Sequence, residues 1–259
     1  MPFQTIIVET KNQVATLFLN RPEVLNALDE SMREDLKKAL SIAAFDEKIR
    51  VVILMGKGRA FCAGADLSRF KEDYEHFERT GKPSQFYDIT LPRIFASFPK
   101  PLIAAINGPA VGVGMTMVLA CDIRLASESA TFSCPFSRIG LTPEFGSSYH
   151  LPRLVGYARA AEWIMTGKTI NAQEALSTGL INQLVASEVL LDKAQKIARN
   201  IASMPKEAIN AAKRLLRQGL DSSLDEALER ETKVFQDCQK TRSHYLAVCD
   251  SLKRMKLEK

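Results

Sequence analysis

Long apolar runs, paired cysteines and aromatic residues are all scarce in this chain of 259 residues. No apolar stretch approaches the roughly 20 residues that a membrane-spanning helix needs, so we expect no membrane partner. The five cysteines include no CxxC pair, which predicts reduced thiols and no disulfide framework. The first residues lack the basic and apolar regions of a secretion signal, and the last three are not a Ser-Lys-Leu peroxisomal ending. We therefore expect a cytoplasmic protein.

The composition is that of an ordinary globular protein. Hydrophobic residues make up 46% of the chain and charged residues 25%, which allows a large core and argues against global disorder. The net charge is +5, and much of the excess lies in the last sixty residues. A solvated helical face explains this excess most simply. A contribution to binding a phosphorylated ligand is the main alternative, and nucleic acid is not an expected partner.

Strands and helices alternate along the first part of the chain. Residues 5–9 and 14–19 predict a hairpin, residues 29–44 a helix, and the apolar runs 51–55 and 102–106 buried strands. A further apolar helix follows Gly114, and a strand follows at 121–126. This order predicts an α/β fold. The charged segment 72–82 reads as a surface insertion, and residues 74–86 are expected to influence pocket depth.

After about residue 186 the pattern is purely helical. Helices are predicted from Ser187, from Pro205, and over residues 223–239 and 243–255. We therefore divide the chain into a core at residues 1–186 and a C-terminal helical region at residues 187–259. The helical region is expected to bury an apolar face against the core or a neighbouring subunit.

Two glycine-rich turns and one acidic residue indicate chemistry at a carbonyl group. The segment NGPAVGVG at residues 107–114 bends into an apolar helix, and FCAGAD at residues 61–66 follows a buried strand. Each turn alone could serve only tight packing. Two backbone N–H groups that converge from them would form an oxyanion hole. Glu144 stands among small and apolar residues, where it could remove a proton next to the carbonyl.

At this point the chain resembles the crotonase superfamily, the enoyl-CoA hydratase/isomerase group, over nearly its full length. The segments that carry the resemblance are residues 20–28, 61–67, 101–113, 120–123 and 140–143. The resemblance implies a crotonase (ClpP-like) spiral of ββα units and C-terminal helices that mediate trimers or dimers of trimers. It also implies an acyl-CoA substrate, with coenzyme A as part of that substrate, no separate cofactor and no metal.

The resemblance carries functional roles onto particular positions. The two oxyanion donors fall on the backbone N–H groups of Ala65 and Val113. Acyl-CoA is expected along two segments, with further contacts at the glycine bend and one aromatic residue; the expected binding residues are Val24, Leu25, Ala27, Ala63, Gly64, Asp66, Leu67, Gly112 and Phe136. Asp66 is also well placed to cap a helix.

The departures from the family pattern decide the expected reaction. Family hydratases carry two glutamates where this chain has Thr116 and Phe136, and neither residue can act as a carboxylate acid or base. Hydration normally uses two carboxylates to orient the water and supply a proton, whereas moving a double bond needs only one carboxylate. Glu144 and its surroundings resemble the peroxisomal-type Δ3,Δ2-enoyl-CoA isomerases. The sequence thus predicts a 3-enoyl-CoA isomerase with Glu144 as the proton shuttle.

Three alternatives stay open at this point. Glu144 could be a first-turn acid that only favours its helix dipole. The reaction could be hydration or another enolate-forming activity. The chain could also be a catalytically idle member that binds acyl-CoA or RNA. We assign no catalytic role to His150, Asp122, Arg153 or Arg159.

Overall fold

Parallel strands with helices on both faces form the body of the molecule, which we describe from a computed structural model. The structure describes residues 3–82 and 88–257. Phe86, part of the segment expected to influence pocket depth, lies outside these ranges. Among the described residues, no helix is both long and apolar enough to traverse a lipid bilayer.

Nine strands occur within the described ranges, in two sheets. They are β1 (Ile6–Lys11), β2 (Val14–Leu19), β3 (Val51–Gly56), β4 (Leu102–Ile106), β5 (Ala110–Val111), β6 (Ile123–Ser127), β7 (Thr131–Ser133), β8 (Thr169–Asn171) and β9 (Gln183–Val185). The larger sheet has the order β1-β2-β3-β4-β6-β9, and the smaller has the order β5-β7-β8. In the larger sheet only β1 and β2 pair antiparallel; the other neighbours are parallel.

The α-helices of the described chain lie between and after the strands. They are α1 (Glu30–Phe45), α2 (Leu67–Thr80), α3 (Thr90–Ser97), α4 (Val113–Leu119), α5 (Ser147–Val155), α6 (Tyr157–Thr166), α7 (Ala172–Ser177), α8 (Leu190–Ala202), α9 (Lys206–Gly219), α10 (Leu224–Gln239) and α11 (Arg242–Leu257). The predicted hairpin, the helix after Asp29, the two apolar strands and the later helices are confirmed within a few residues. Pro205 is the N-cap residue of α9, immediately before the helix.

Alternation along the buried strands explains why the sheet is covered on both faces. On β3, Val52 and Leu54 belong to the core that contains α1, whereas Val51 and Ile53 belong to the core under α8. Successive side chains on a strand point to opposite faces of the sheet. A strand that is apolar throughout must therefore be covered on both faces. Helix α8, on the C-terminal side of residue 187, therefore packs directly on the sheet.

Segment 72–82 differs from its predicted character. It belongs mostly to helix α2, which begins at the N-cap Asp66 and ends at Gly81. The Asp66 carboxylate accepts a hydrogen bond from the Ser68 amide at 3.0 Å, which confirms its capping role. No residue of α2 is buried, so the segment is on the surface as expected but is regularly folded.

Candidate active site

Close backbone packing joins the 61–66 turn to the start of α4. A Cβ atom added to Gly114 would lie 2.2 Å from the carbonyl oxygen of Cys62, so only glycine fits there. The Val111 amide donates to the same Cys62 oxygen at 2.9 Å, and Cys62 forms a bridge with Ala110. These contacts bring the two glycine-rich turns of the sequence against each other, as predicted.

Ala65 and Val113, the two predicted oxyanion donors, belong to these two turns. Val113 is the first residue of α4, where a helix has no internal acceptor for its N–H. Gly112, at φ +53°, turns the chain into this helix. Within residues 3–82 and 88–257, neither the Ala65 nor the Val113 amide donates a hydrogen bond to a protein acceptor. Both residues line the same cavity, so two amides are available to an oxygen atom placed there.

That cavity has a volume of about 520 Å³. The residues that line it are Arg33, Ala63, Gly64, Ala65, Leu67, Phe70, Val111, Gly112, Val113, Pro135, Phe136, Ile139, Leu141, Thr142, Pro143 and Glu144. Only Arg33, Thr142 and Glu144 bring polar side chains to it. Glu144 is the single carboxylate among the described lining residues, and the remaining walls are apolar or glycine. Such a cavity suits an apolar ligand with one polar centre.

A left-handed turn sets the position of Glu144. Phe145 and Gly146 both have positive φ, at +55° and +74°. A bulky residue adopts this conformation only where its surroundings enforce it. The Phe145 ring is buried and packs edge-on against Phe95, with 5.3 Å between ring centroids. Glu144 therefore precedes α5 and is not in its first turn, which removes the helix-dipole alternative for this residue.

The carboxylate of Glu144 contacts helix α4. The hydroxyl of Thr116, a fully buried residue, donates a hydrogen bond to Oε1 of Glu144 at 2.5 Å. The Ser147 amide and hydroxyl donate to the Glu144 carbonyl oxygen at 2.9 and 2.7 Å. Glu144 is thus oriented through both its side chain and its backbone. The Thr116 contact is a feature that the sequence analysis missed, although it had singled out both residues.

Two buried thiols border the site without being reactive. Burial raises the pKa of Cys62 to about 11 and that of Cys134 to about 12. The charge of Glu144 adds to the rise at both cysteines, and Arg33 opposes it at Cys62. Thiols with raised pKa values are neutral and poorly nucleophilic near neutral pH. Neither thiol is therefore suited to act as the nucleophile or the base of this site.

The loop before α1 holds part of the predicted acyl-CoA segment close to the 61–66 turn. The Ala63 amide donates to the Leu25 carbonyl at 3.0 Å, and the Leu28 amide donates to the Gly64 carbonyl at 2.8 Å. Ala27 lies within this paired stretch and is half-buried. Val24 is exposed and, like Leu25 and Ala27, stands outside the cavity lining. The structure therefore brings the two predicted segments together beside the cavity.

Asn26 organises this loop, a role that the sequence analysis did not assign. Its side chain is fully buried and accepts a hydrogen bond from the Arg21 amide at 2.8 Å. Its amide group donates to the carbonyls of Lys57 and Ala60, each at 2.9 Å. The residue has φ +57°, a left-handed conformation that asparagine tolerates better than most residues. The polarity of one residue in an apolar segment was the only signal that could have revealed it.

A second, polar pocket of about 680 Å³ adjoins the cavity. It shares Arg33, Ala65 and Phe70 with the cavity and also contains Asp66, so the predicted ligand residue Asp66 lies beside the cavity and outside its lining. Arg33 was not predicted as a site residue. Its position on α1, one residue after the buried Met32, was its only signal in the sequence.

The acidic and basic residues to which no catalytic role was assigned lie elsewhere. Asp122 accepts hydrogen bonds from the Leu102 amide at 2.8 Å and from Arg217 at 3.0 Å, which ties α9 to the sheet. Burial lowers the pKa of His150, and nearby arginines add to this effect. Arg153 pairs with Asp221 on the surface. Within the described ranges, no cluster of three or more His, Cys, Asp or Glu residues could hold a metal ion.

A doubly covered parallel sheet beside an apolar cavity with two available amides defines an α/β enzyme fold of the crotonase type. Residues 9–253 match the model of the enoyl-CoA hydratase/isomerase family. The chain is 34% identical to the short-chain-enoyl-CoA hydratase of Clostridium acetobutylicum, across 100% of this chain and 98% of that protein. It is 37% identical to the 1,2-epoxyphenylacetyl-CoA isomerase of Escherichia coli, across 87% of each chain.

Solved structures show the same fold. The enoyl-CoA hydratase from Bacillus anthracis superposes with a TM-score of 0.88 at 34% identity, and the match covers 97% of each chain. The chain therefore belongs to the enoyl-CoA hydratase/isomerase family, and it is an enzyme of that family. The predicted family and fold are confirmed. The narrower isomerase subgroup stays a prediction, because these relatives include proteins named for hydration as well as for isomerisation.

Proposed function

We propose that this chain is a Δ3,Δ2-enoyl-CoA isomerase, which moves the double bond of a 3-enoyl-CoA to the 2-trans position. The observation that carries the proposal is the composition of the cavity. Its lining includes two backbone amides with no protein acceptor and one carboxylate, Glu144, within the described residues. One carboxylate beside an oxyanion site suffices for proton transfer between two carbon atoms of the same substrate.

The reaction proceeds through an enolate. Glu144 removes a proton from C2 of the 3-enoyl thioester, and the electrons of the broken C–H bond delocalise onto the thioester oxygen. The amides of Ala65 and Val113 donate hydrogen bonds to that oxygen, and each such donor lowers the barrier by about 3 kcal/mol. The protonated Glu144 then returns its proton to C4, which leaves a double bond between C2 and C3. The proton that is removed from C2 is the one that is added at C4, so the reaction consumes no water.

Thr116 positions the shuttle. Its hydrogen bond to Oε1 fixes the orientation of the carboxylate at the cavity wall. Phe136 keeps a further wall of the cavity apolar, at the other position where family hydratases are expected to have a glutamate. Among the described lining residues Glu144 is the single carboxylate, which favours isomerisation over the addition of water, because hydration normally uses a second carboxylate to activate that water.

Hydration of a 2-enoyl-CoA is the second candidate function. The observation that favours it is the identity of the whole chain to the short-chain-enoyl-CoA hydratase of Clostridium acetobutylicum. In this alternative Glu144 alone would have to orient the water and also serve as the acid. The two candidates therefore differ in how many carboxylates the reaction requires.

Paired assays on one preparation of the full chain test the proposal. With 3-hexenoyl-CoA, we expect conjugated absorbance to appear; with crotonyl-CoA, we expect little loss of that absorbance. Glu144→Gln should lower the isomerisation kcat by at least about 100-fold, since it removes the acid–base group. Glu128→Gln, at an exposed position outside the cavity, is the matched control and should leave turnover unchanged.

Two results would overturn the assignment. Rapid loss of crotonyl-CoA absorbance with negligible turnover of 3-hexenoyl-CoA would make the chain a hydratase. Isomerisation by Glu144→Gln within a few-fold of the wild-type rate would show that another group moves the proton.

The remaining expectations belong to the same proposal. The substrate is an acyl-CoA, with coenzyme A as part of it, and the reaction uses neither a separate cofactor nor a metal. The chain acts in the cytoplasm in fatty acid metabolism, binds neither nucleic acid nor membrane, and assembles as a homotrimer or a dimer of trimers. Exposed apolar residues on α10 and α11, among them Leu228, Phe235 and Leu252, support an assembly through the C-terminal helices.

A further inference from the structure

Helix α2 carries an apolar stripe that begins in the catalytic cavity and continues beyond it. The stripe consists of Leu67, Phe70, Tyr74 and Phe77, whose spacing places them on one side of an α-helix. Leu67 and Phe70 line the cavity. Tyr74 and Phe77 follow on the next turns, outside the cavity lining. The stripe therefore extends one wall of the cavity along the protein surface.

The stripe contributes little to the folding of the helix onto the core. Its four residues keep 60%, 42%, 62% and 49% of their surface exposed, and none of α2 is buried. Single exposed apolar residues are common, but a contiguous row of four large ones at a cavity mouth is typical of a binding surface. Ile139 and Leu141 also line the cavity and are exposed and apolar, so a second segment of its wall is suited to a hydrocarbon.

We propose that this stripe is the binding surface for the distal part of a medium- or long-chain acyl group. The inference rests on the proposed acyl-CoA function and deepens it by naming the substrate class. The ten residue steps from Leu67 to Phe77 rise about 15 Å along the helix axis. This length matches an extended chain of about a dozen carbon atoms joined by single bonds of roughly 1.5 Å. With the thioester at the amides of Ala65 and Val113, the reacting carbons lie inside the cavity and the tail reaches the stripe.

Continuity with the cavity identifies the occupant as the acyl chain and not a second copy of the protein. Leu67 and Phe70 contribute to both surfaces, so a ligand that fills the cavity and grows longer meets Tyr74 and Phe77 next. The exposed apolar residues of α10 and α11 lie in a different part of the sequence, at residues 224–255. A surface for assembly therefore does not need the α2 stripe.

Binding of saturated acyl-CoA tests the inference without requiring turnover. Hexanoyl-CoA and dodecanoyl-CoA, each below its micelle concentration, are titrated into the wild type and into Tyr74→Gln/Phe77→Gln by calorimetry. Glutamine keeps the helix propensity and removes the apolar surface. We expect the wild type to bind dodecanoyl-CoA at least about 30-fold more tightly than hexanoyl-CoA. In the double variant, this ratio of the two dissociation constants should be about tenfold smaller. Retained binding of hexanoyl-CoA reports that the variant is folded.

A control double variant, Phe45→Gln/Tyr157→Gln, removes two aromatic residues that are more exposed than the stripe and lie outside it. It should keep the wild-type preference for dodecanoyl-CoA. An unchanged preference in Tyr74→Gln/Phe77→Gln would overturn the inference. A change of oligomeric state in that variant, measured by light scattering, with the preference intact would assign the stripe to assembly instead. Loss of isomerase activity by itself bears only on the proposed function, because binding is measured separately.

Discussion

The buried hydroxyl of Thr116 holds the carboxylate of Glu144 by a hydrogen bond of 2.5 Å, across 28 residues of sequence. Thr116 lies on helix α4, whose first residue, Val113, lines the cavity. In the proposed mechanism, the same helix therefore provides an oxyanion donor and orients the base. A substrate carbonyl bound at Val113 is placed at a defined distance from Glu144, which is the geometric requirement for proton removal at the adjacent carbon.

Thr116→Val removes this hydrogen bond and preserves the shape of the side chain. We expect the isomerisation kcat to fall by about tenfold, because Glu144 samples other orientations, while KM changes less than about twofold. Steady-state kinetics with 3-hexenoyl-CoA measure both values. Thr116→Ser retains the hydroxyl and should restore most of the rate. Equal activity of Thr116→Val and the wild type would show that the backbone of Glu144 alone sets its position.

Gly114→Ala tests the contact between the two glycine-rich turns. The new Cβ would meet the Cys62 carbonyl oxygen at 2.2 Å, so either α4 or the 61–66 turn must shift. We expect kcat to fall by at least about 100-fold, since displacement of one oxyanion donor costs about 3 kcal/mol. Gly219→Ala, where a Cβ meets nothing within 4 Å, is the control and should be neutral or slightly stabilising. Wild-type kinetics of Gly114→Ala would show that the turns need not pack so closely.

Asn26→Ala tests the loop that precedes α1. It removes three hydrogen bonds of a buried side chain and places alanine in a left-handed conformation. We expect about 2–4 kcal/mol less free energy of unfolding, measured by urea denaturation. Asn12→Ala imposes the same backbone conformation in the exposed β1–β2 turn, at φ +51°. It should cost less than about 1.5 kcal/mol, and a similar cost for both variants would assign the effect to backbone strain alone.

Local pattern predicted most of the fold. The β1–β2 hairpin, α1 with its Asp29 cap and the apolar strands β3 and β4 each follow from periodicity and turn residues close in sequence. The charges of residues 72–82 predict a surface insertion and obscure the row formed by Leu67, Phe70 and Tyr74 on helix α2. The segment from α5 to β9 was not predicted in detail, since its short elements depend on packing against the rest of the chain.

The site was predictable in composition but not in geometry. Small residues at 61–66 and 107–114 indicated where backbone amides could be presented, and Glu144 was the acid that directly follows the matching segment 140–143. Its bond to Thr116 depends on the left-handed Phe145, whose ring is held by Phe95. Such a conformation arises from tertiary packing, which no local pattern encodes.

A partly buried ionic cluster links α9 to the sheet and gives the fold a pH dependence. Lys213 donates hydrogen bonds to Asp122 at 2.7 Å and to the Lys100 carbonyl at 2.6 Å. Arg217 also pairs with Asp122, at 3.0 Å. Burial lowers the pKa of Lys213 to about 8, with Arg217 adding to this effect, while Asp122 and Cys121 oppose it. The other charged groups that face Lys213 are therefore Asp122 and Arg217.

Lys213→Met tests how this lysine affects stability. Because its pKa is lowered from 10.5 to about 8 in the folded state, the unfolded chain binds the proton more tightly between these values. Lys213 thus makes the folded state more stable as pH rises through this window.

The buried thiols have raised pKa values and act in the opposite direction, so the measurement is the difference between the wild type and Lys213→Met. In urea denaturation, this difference should shift by about 2 kcal/mol in favour of the wild type between about pH 7.5 and 9.5. Lys196→Met, at an exposed position on α8, is the control. A difference that does not change with pH for Lys213→Met would mean that Lys213 titrates alike in the folded and unfolded chains.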